Sequence, residues 1–324
     1  MANTAFSPTN SVTASSAANF IPEIWSDEIV AAFKKNLVLA NVVKRMNFKG
    51  KKGDTVNIPS PARGNASAKV ATDAVTLIAE SDTLIPVLIN RHFEYSRLIE
   101  DIVEVQALTS LRSFYTEDAG YALARRIDTD LVQLGRAFNG ATVGTNDYAT
   151  SNTSTKAYVG SDGTTAYNST SSNAAALTDA AIRRTIQRLD DNDIPLDGRF
   201  FLIPPSSRNT LMGLARYTEQ AFIGNGDAIR NGEIGQLYGM AVFASSNADT
   251  GAGNSGADRI CLMGHRDSMV LVEQLGIRSQ TQYKQEYLGT LFTADTLYGV
   301  KALRTAASPS AANASGAYAL AVPA

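Results

Sequence analysis

Between Leu98 and Phe138 the apolar residues Leu98, Ile102, Val105, Leu108, Leu111, Tyr115, Ala119, Leu123, Ile127, Leu131, Leu134 and Phe138 recur at steps of three or four. The mean step is about 3.64 positions, the period of a straight α-helix rather than the 3.5 of a coiled coil. Arg97, Glu100, Asp101, Glu104, Glu117, Asp118, Arg125, Arg126, Asp128 and Asp130 fill the other side, so the helix is amphipathic and does not span a membrane. A continuous helix over 96–138 would be about 65 Å long, roughly twice the ~30 Å span of a small domain. Such a rod suits an elongated, plate-like subunit that completes its packing against neighbours. Thr109-Ser110 and Gly120 are the points where it can bend.

The chain has 324 residues, enough for a substantial core and one to three domains. A formal net charge of −2 supplies no global attraction to nucleic acid or acidic lipid. The single cysteine, Cys261, lies in the apolar run Ile260, Leu262, Met263 and reads as a small buried hydrophobe, so there is no disulfide framework. Residues 1–20 carry neither a basic start nor an apolar segment, against a secretory signal, and synthesis in a reducing compartment is expected.

Residues 1–19 read as a polar arm. Pro22 opens a predicted helix with early acids (Glu23, Asp27, Glu28), late bases (Lys34, Lys35) and an apolar side of Ile24, Ile29, Phe33 and Leu37. From about 50 to 95 the pattern turns extended and predicts a long two-stranded arm. Val56 and Ile58 alternate before Pro59; on the return, Ile85, Val87 and Ile89 share one face and Leu84 and Leu88 the other. An isolated hairpin is marginal in water, so apolar residues on both faces call for a partner surface. A charge placed at Ile85 or Val87 is therefore expected to block assembly and spare the subunit.

Residues 139–175 are almost all small and polar and read as a surface insertion. A helix is predicted from an N-cap at Thr178, followed by a buried strand in RFFLI, a Pro-Pro stop and a short helix capped by Ser206 or Ser207. Residues 219–236 read as a Gly-rich loop. Strands follow in MAVFAS, RICLM, SMVLVEQL and LYGVKALR, with a polar connection around Gln280–Tyr287 and a small-residue tail from Ala306. Helix and strand mix without βαβα alternation, so the class is α+β.

Chemistry-bearing patterns are few. No phosphate loop or G-x-G-x-x-G follows a strand. The two histidines, His92 in NRHFEYS and His265 in GHRDS, fit a hydrogen-bonded strand and a turn better than a general base, and no G-x-S-x-G elbow accompanies them. Asp190-Asp191-Asn192-Asp193 lacks the Gly and Glu of a calcium loop and reads as a solvated helix end. Lys44, Arg45, Lys49, Lys51 and Lys52 form a basic cluster without interleaved aromatics, an interface or solvated patch rather than a base-reading surface. The residues point away from catalysis and assign no cofactor or metal.

In this order the segments FIPEIWSDEIVAAFKKNLVLANVVKR, KGKKGDTVNIPSP, SRLIEDIVEVQALTSLRSFYTEDAGYALARRIDTDLVQL, LDDNDIPLDGRFFLIPPSSRNTLM and LYGVKALR resemble the major capsid proteins of tailed bacteriophages, the Hong Kong 97-type fold. The resemblance implies an N-terminal arm (1–49), an extended β-hairpin loop (50–95), a spine helix and peripheral domain (96–218, with the 139–175 insertion), an axial domain with closing strands (219–305) and a flexible tail (306–324). It also implies self-assembly into hexamers and pentamers of an icosahedral head enclosing double-stranded DNA, in a virion assembled in the host cytoplasm. Loop and arm would contact neighbouring subunits through Trp25, Phe33, Val56, Ile58, Arg63, Lys69, Ile85, Val87 and Ile89. Implied partners are a separate scaffolding protein, a portal, decoration proteins and DNA bound without specificity, with no membrane. No Lys–Asn pair for covalent cross-linking is identifiable. The competing readings are a decoration or fibre subunit, which would favour extended β repeats, and a hydrolase built on one of the histidines.

Overall fold

The stretch predicted as one rod divides into a strand and a helix. The computed structural model describes residues 38–50, 52–60, 83–102, 111–136, 157–168, 173–214, 236–248, 258–303 and 316–324, with scattered positions between 66 and 77. Leu98 lies in a strand, β4 (Arg91–Glu100), and helical backbone starts only at Asp101. Helix α2 then runs over Leu111–Arg136, about 39 Å at 1.5 Å per residue. RHFEYSRLIE satisfies two periods at once. Phe93 and Tyr95 point inward in strand alternation, while Leu98 also continues the helical spacing downstream.

Sequence-distant strands complete a four-stranded sheet. A single helical turn, α1 (Leu39–Val42), leads into β1 (Lys44–Asn47), which pairs parallel with β10 (Met269–Lys284). β10 pairs antiparallel with β11 (Gly289–Ala302), and β11 with β4. Gln280–Tyr287, expected as a polar connection, is mostly paired strand; the reversal is confined to a 3₁₀ turn at Gln285–Tyr287 and a left-handed Leu288 with φ 44°. Polar residues there mark a strand exposed on its faces rather than a loop.

The extended hairpin is shorter than 50–95. It pairs β2 (Thr55–Ser60) with β3 (Thr83–Leu88), and the chain then joins the larger sheet as β4 rather than continuing the arm.

A six-stranded sheet has the order β5 (Tyr158–Val159), β12 (Ala317–Pro323), β9 (Asp258–His265), β6 (Arg199–Ile203), β8 (Met240–Ala244), β7 (Gln236–Leu237). α3 (Asp179–Asp191) packs on it, opened by Thr178, whose hydroxyl accepts the amide of Ala181 at 3.3 Å. α4 (Pro205–Met212) follows β6 directly. Its N-cap is Pro204, without a side-chain cap, and not Ser206 or Ser207; a proline at the first helical position needs no amide partner.

Two further expectations are corrected. Residues 306–324 are not wholly a tail: Ala317–Val322 are buried between β5 and β9. The 139–175 stretch is not wholly a surface insertion: Ala157, Val159 and Tyr167 are buried, and Tyr167 donates to Asp258 at 2.6 Å. Boundaries at 218 and 305 therefore cut across both sheets. β5, β6 and β12 join β7–β9, whereas β10 and β11 join β1 and β4.

α2 ties the sheets together. Ala119 and Leu123 pack with Phe292 and Ala294 of β11. Ile127, Leu131 and Leu134 share a core with Phe200 and Leu202 of β6, Leu262 of β9 and Leu271 and Tyr298 of the other sheet. Gly135 allows this contact, since a Cβ there would fall 2.5 Å from the Leu262 side chain. The predicted helix around Pro22–Leu37 lies outside the described residues, as does the loop expected at 219–236 except for Gln236, which opens β7 instead.

Candidate assembly surface

The β2–β3 register fixes which side chains of the hairpin share a face. Val56 opposes Val87 and Ile58 opposes Ile85; Thr55 opposes Leu88 and Pro59 opposes Leu84. Directly opposed residues in an antiparallel pair project to the same side. The Val56 face turns inward. Val87 and Ile89 are buried against Val270 and Val272 of β10, with Val56, Ile58 and Leu297 packed around them. Val87 and Ile89 thus spend their apolar surface within their own chain and are not free to meet a neighbour, a correction to the expected contact set. Their burial partners lie far along the sequence, so nothing local reveals the choice of face.

The opposite face carries the exposed apolar surface. Leu84 is 62% exposed and Leu88 42%, and beyond the strands Val75 and Leu77 stand 68% and 88% exposed. Lys69 is exposed. Trp25, Phe33 and Arg63 lie outside the described residues. The hairpin is seated firmly: the Leu88 carbonyl rests against Gly299 of β11, in the space a Cβ would take. A rigid base thus presents an apolar outer face, the arrangement of a docking surface.

Buried polar groups brace this platform. Asp130 of α2, fully buried at its side chain, pairs with Arg91 of β4 at 2.6 Å and Arg126 at 3.1 Å, and accepts from Tyr298 of β11 at 2.6 Å. Burial, then Asp130, pushes the Tyr298 hydroxyl well above the ordinary phenol range. On the sheet surface Arg278 grips Asp295 with both Nε (2.7 Å) and Nη2 (3.0 Å), and His92 Nε2 lies 3.2 Å from the same carboxylate. The Arg278 hydrogen bonds hold Asp295 below the usual carboxylate range.

The residues weighed for chemistry have structural partners. His265 closes β9, with Nε2 donating to the Asp197 carbonyl at 2.8 Å and Nδ1 accepting from the Asp267 amide at 3.1 Å. Cys261 is buried, and burial raises its thiol to about 12. Asp190 pairs with Arg199 at 2.7 Å, and Asn192 caps α3. In the basic cluster, Arg45 pairs with Glu273, and the Lys49 side chain lies over Gly276 at the rim of a cavity of about 350 Å³ floored by Ile127 and Leu271. Among the described residues no group of three or more His, Cys, Asp or Glu side chains is placed to hold a metal.

The sequence model of the phage capsid protein family matches residues 30–300. The chain belongs to the phage capsid protein family. Solved structures agree on the fold of this capsid protein. A chain of Mycobacterium phage Che8 is 24% identical with a TM-score of 0.70, over 93% of this chain and 97% of that one. The capsid structure of the cyanophage P-SCSP1u is 18% identical with a TM-score of 0.69, over 94% and 93%. The capsid of Ralstonia phage GP4 is 16% identical with a TM-score of 0.64, over 94% and 95%. No curated protein matches the sequence. The fold is the Hong Kong 97-type capsid fold, and the role is structural: a major capsid protein from which a phage head is built. It self-associates into a shell and resides in the virion capsid.

Proposed function

We propose that this capsid protein assembles as hexamers and pentamers of an icosahedral head enclosing double-stranded DNA, with the outer face of its β2–β3 hairpin seated on an adjacent subunit. The carrying observation is the two-sidedness of that hairpin: one face is consumed by the chain's own β10, while Leu84 and Leu88 face outward. An apolar face on a braced hairpin gains free energy by leaving water, at about 25 cal/mol per Å², and identical copies repeating one heterologous contact close into a ring, the form of a five- or six-membered capsomer. Trp25 and Phe33 of the arm and Arg63 and Lys69 of the loop join this contact in the same reading.

A separate scaffolding protein guides closure, a portal occupies one vertex, and decoration proteins bind the outside. Assembly takes place in the host cytoplasm, and DNA is touched without sequence preference, in keeping with the chain's net charge of −2. Negative-stain microscopy of the expressed protein, with and without its scaffold, tests the reading. Closed shells with five- and six-fold capsomers are expected; a stable monomer under both conditions would refute it.

A further inference from the structure

Buried polar side chains hold one leucine out into water. Leu196 lies in the loop between α3 and β6 and is 70% exposed, yet the backbone on both sides of it is clamped. Arg199, itself buried, donates to the carbonyl of Ile194 and, at 2.9 Å, to that of Pro195. Past the leucine, His265 donates through Nε2 to the Asp197 carbonyl at 2.8 Å. Upstream, Ile194 is buried, and Asp193 makes a left-handed turn at φ 56°. Fixing a loop costs conformational entropy, so a clamped, exposed leucine is a contact side chain whose ordering cost is already met.

The same chain carries a hole of matching character. The cavity of about 350 Å³ between α1, β1, α2 and β10 is lined on its apolar side by Ala124, Ile127, Leu271 and Ile277. Its charged lining is Arg45 and Lys49 against the single carboxylate of Glu273, so the balance is basic. The knob has the opposite sign. Asp191, Asp193 and Asp197, all exposed, flank Leu196, with no Lys or Arg among residues 191–197.

We propose that Leu196 of one copy inserts into this cavity on a second copy, with the flanking aspartates meeting Arg45 and Lys49. Knob and hole lie on different elements of one chain, so the contact is heterologous and repeats from copy to copy. The leucine leaving water supplies affinity, and the opposed charges supply register and speed the encounter. The inference rests on copies of the chain associating, as the proposed function does, and not on where the β2–β3 hairpin seats.

Sedimentation and oxidative cross-linking of the full-length protein test it together. Leu196→Ser touches no core, so it should keep the wild-type melting temperature while raising the concentration at which copies associate roughly tenfold. Oxidising a Leu196→Cys/Ile277→Cys double variant should give a ladder of dimers and higher multiples on a denaturing gel, which neither single variant gives. Wild-type association of Leu196→Ser would overturn the proposal. So would associated protein that yields no ladder, or a single variant that yields an equal one. A ladder, together with normal shells from Leu84→Asp/Leu88→Asp, would uphold this contact and overturn only the hairpin contact. No ladder, together with shells lost in that variant, would overturn only the knob, and a chain that stays monomeric would overturn both.

Discussion

Tyr298 of β11 donates its phenolic hydrogen to the buried carboxylate of Asp130 on α2 across 2.6 Å. Arg91 and Arg126 pair with the same carboxylate, so helix and sheet are joined through one charge-compensated point. Removing the carboxylate leaves Arg91, mostly buried, without its counter-charge. Asp130→Ala should therefore destabilise the unassembled subunit by about 3–5 kcal/mol. Tyr298→Phe should cost about 1–3 kcal/mol, because the carboxylate keeps its arginines. Urea titrations of the two variants measure both.

The same tyrosine sets an alkaline limit. Its folded-state pKa is raised by burial and by Asp130, so the stability it contributes is intact below the ordinary phenol value of about 10. That stability falls as pH rises beyond this value, because only the unfolded chain then releases the proton. Unfolding free energies measured from pH 8 to 11 should decline more steeply for the wild type than for Tyr298→Phe.

Asp295 acts at the other end of the scale. Arg278, then His92, lowers its folded-state pKa; the resulting stability is present above the unfolded carboxylate value of about 3.9 and is lost as pH falls through the depressed value. Arg278 is half exposed, so solvent screening keeps the effect small. Asp295→Asn should flatten the stability profile between about pH 4 and 2 without changing it near neutrality by more than a surface pair allows. Acid titration followed by circular dichroism reads the difference.

Two glycines give opposite expectations for one substitution. Gly299 has the Leu88 carbonyl and the Ile89 Cα where a Cβ would go, and backbone cannot yield as a flexible side chain can. Gly299→Ala should loosen the hairpin base, lower the melting temperature and speed proteolysis within residues 55–88. Gly120 in α2 has nothing within 4 Å of a built Cβ, so Gly120→Ala should stabilise by about 0.5–1 kcal/mol through reduced unfolded-state entropy.

The sequence made some of these elements plain and hid others for physical reasons. Ala119, Leu123, Ile127, Leu131 and Leu134 follow the helical stripe and are buried as it predicts. Upstream, RHFEYSRLIE fits both a strand and the start of the helix, and only pairing with β11, nearly 200 residues away, decides. β12 was hidden by its alanines, although Tyr318, Leu320 and Val322 alternate with period two and could have signalled a strand. The hairpin is apolar on both faces, so its pattern could not say which face belongs to the subunit. Val270 and Val272 settle that, and they are remote in sequence.

Sedimentation velocity on hairpin variants tests the central claim most directly. A Leu84→Asp/Leu88→Asp double variant should keep the wild-type melting temperature yet sediment as free subunits where the wild type forms shells, because the charges sit only on the outward face. Val87→Asp should instead unfold the subunit, since it buries a charge against Val270 and Val272. Normal shells from the double variant would contradict the account.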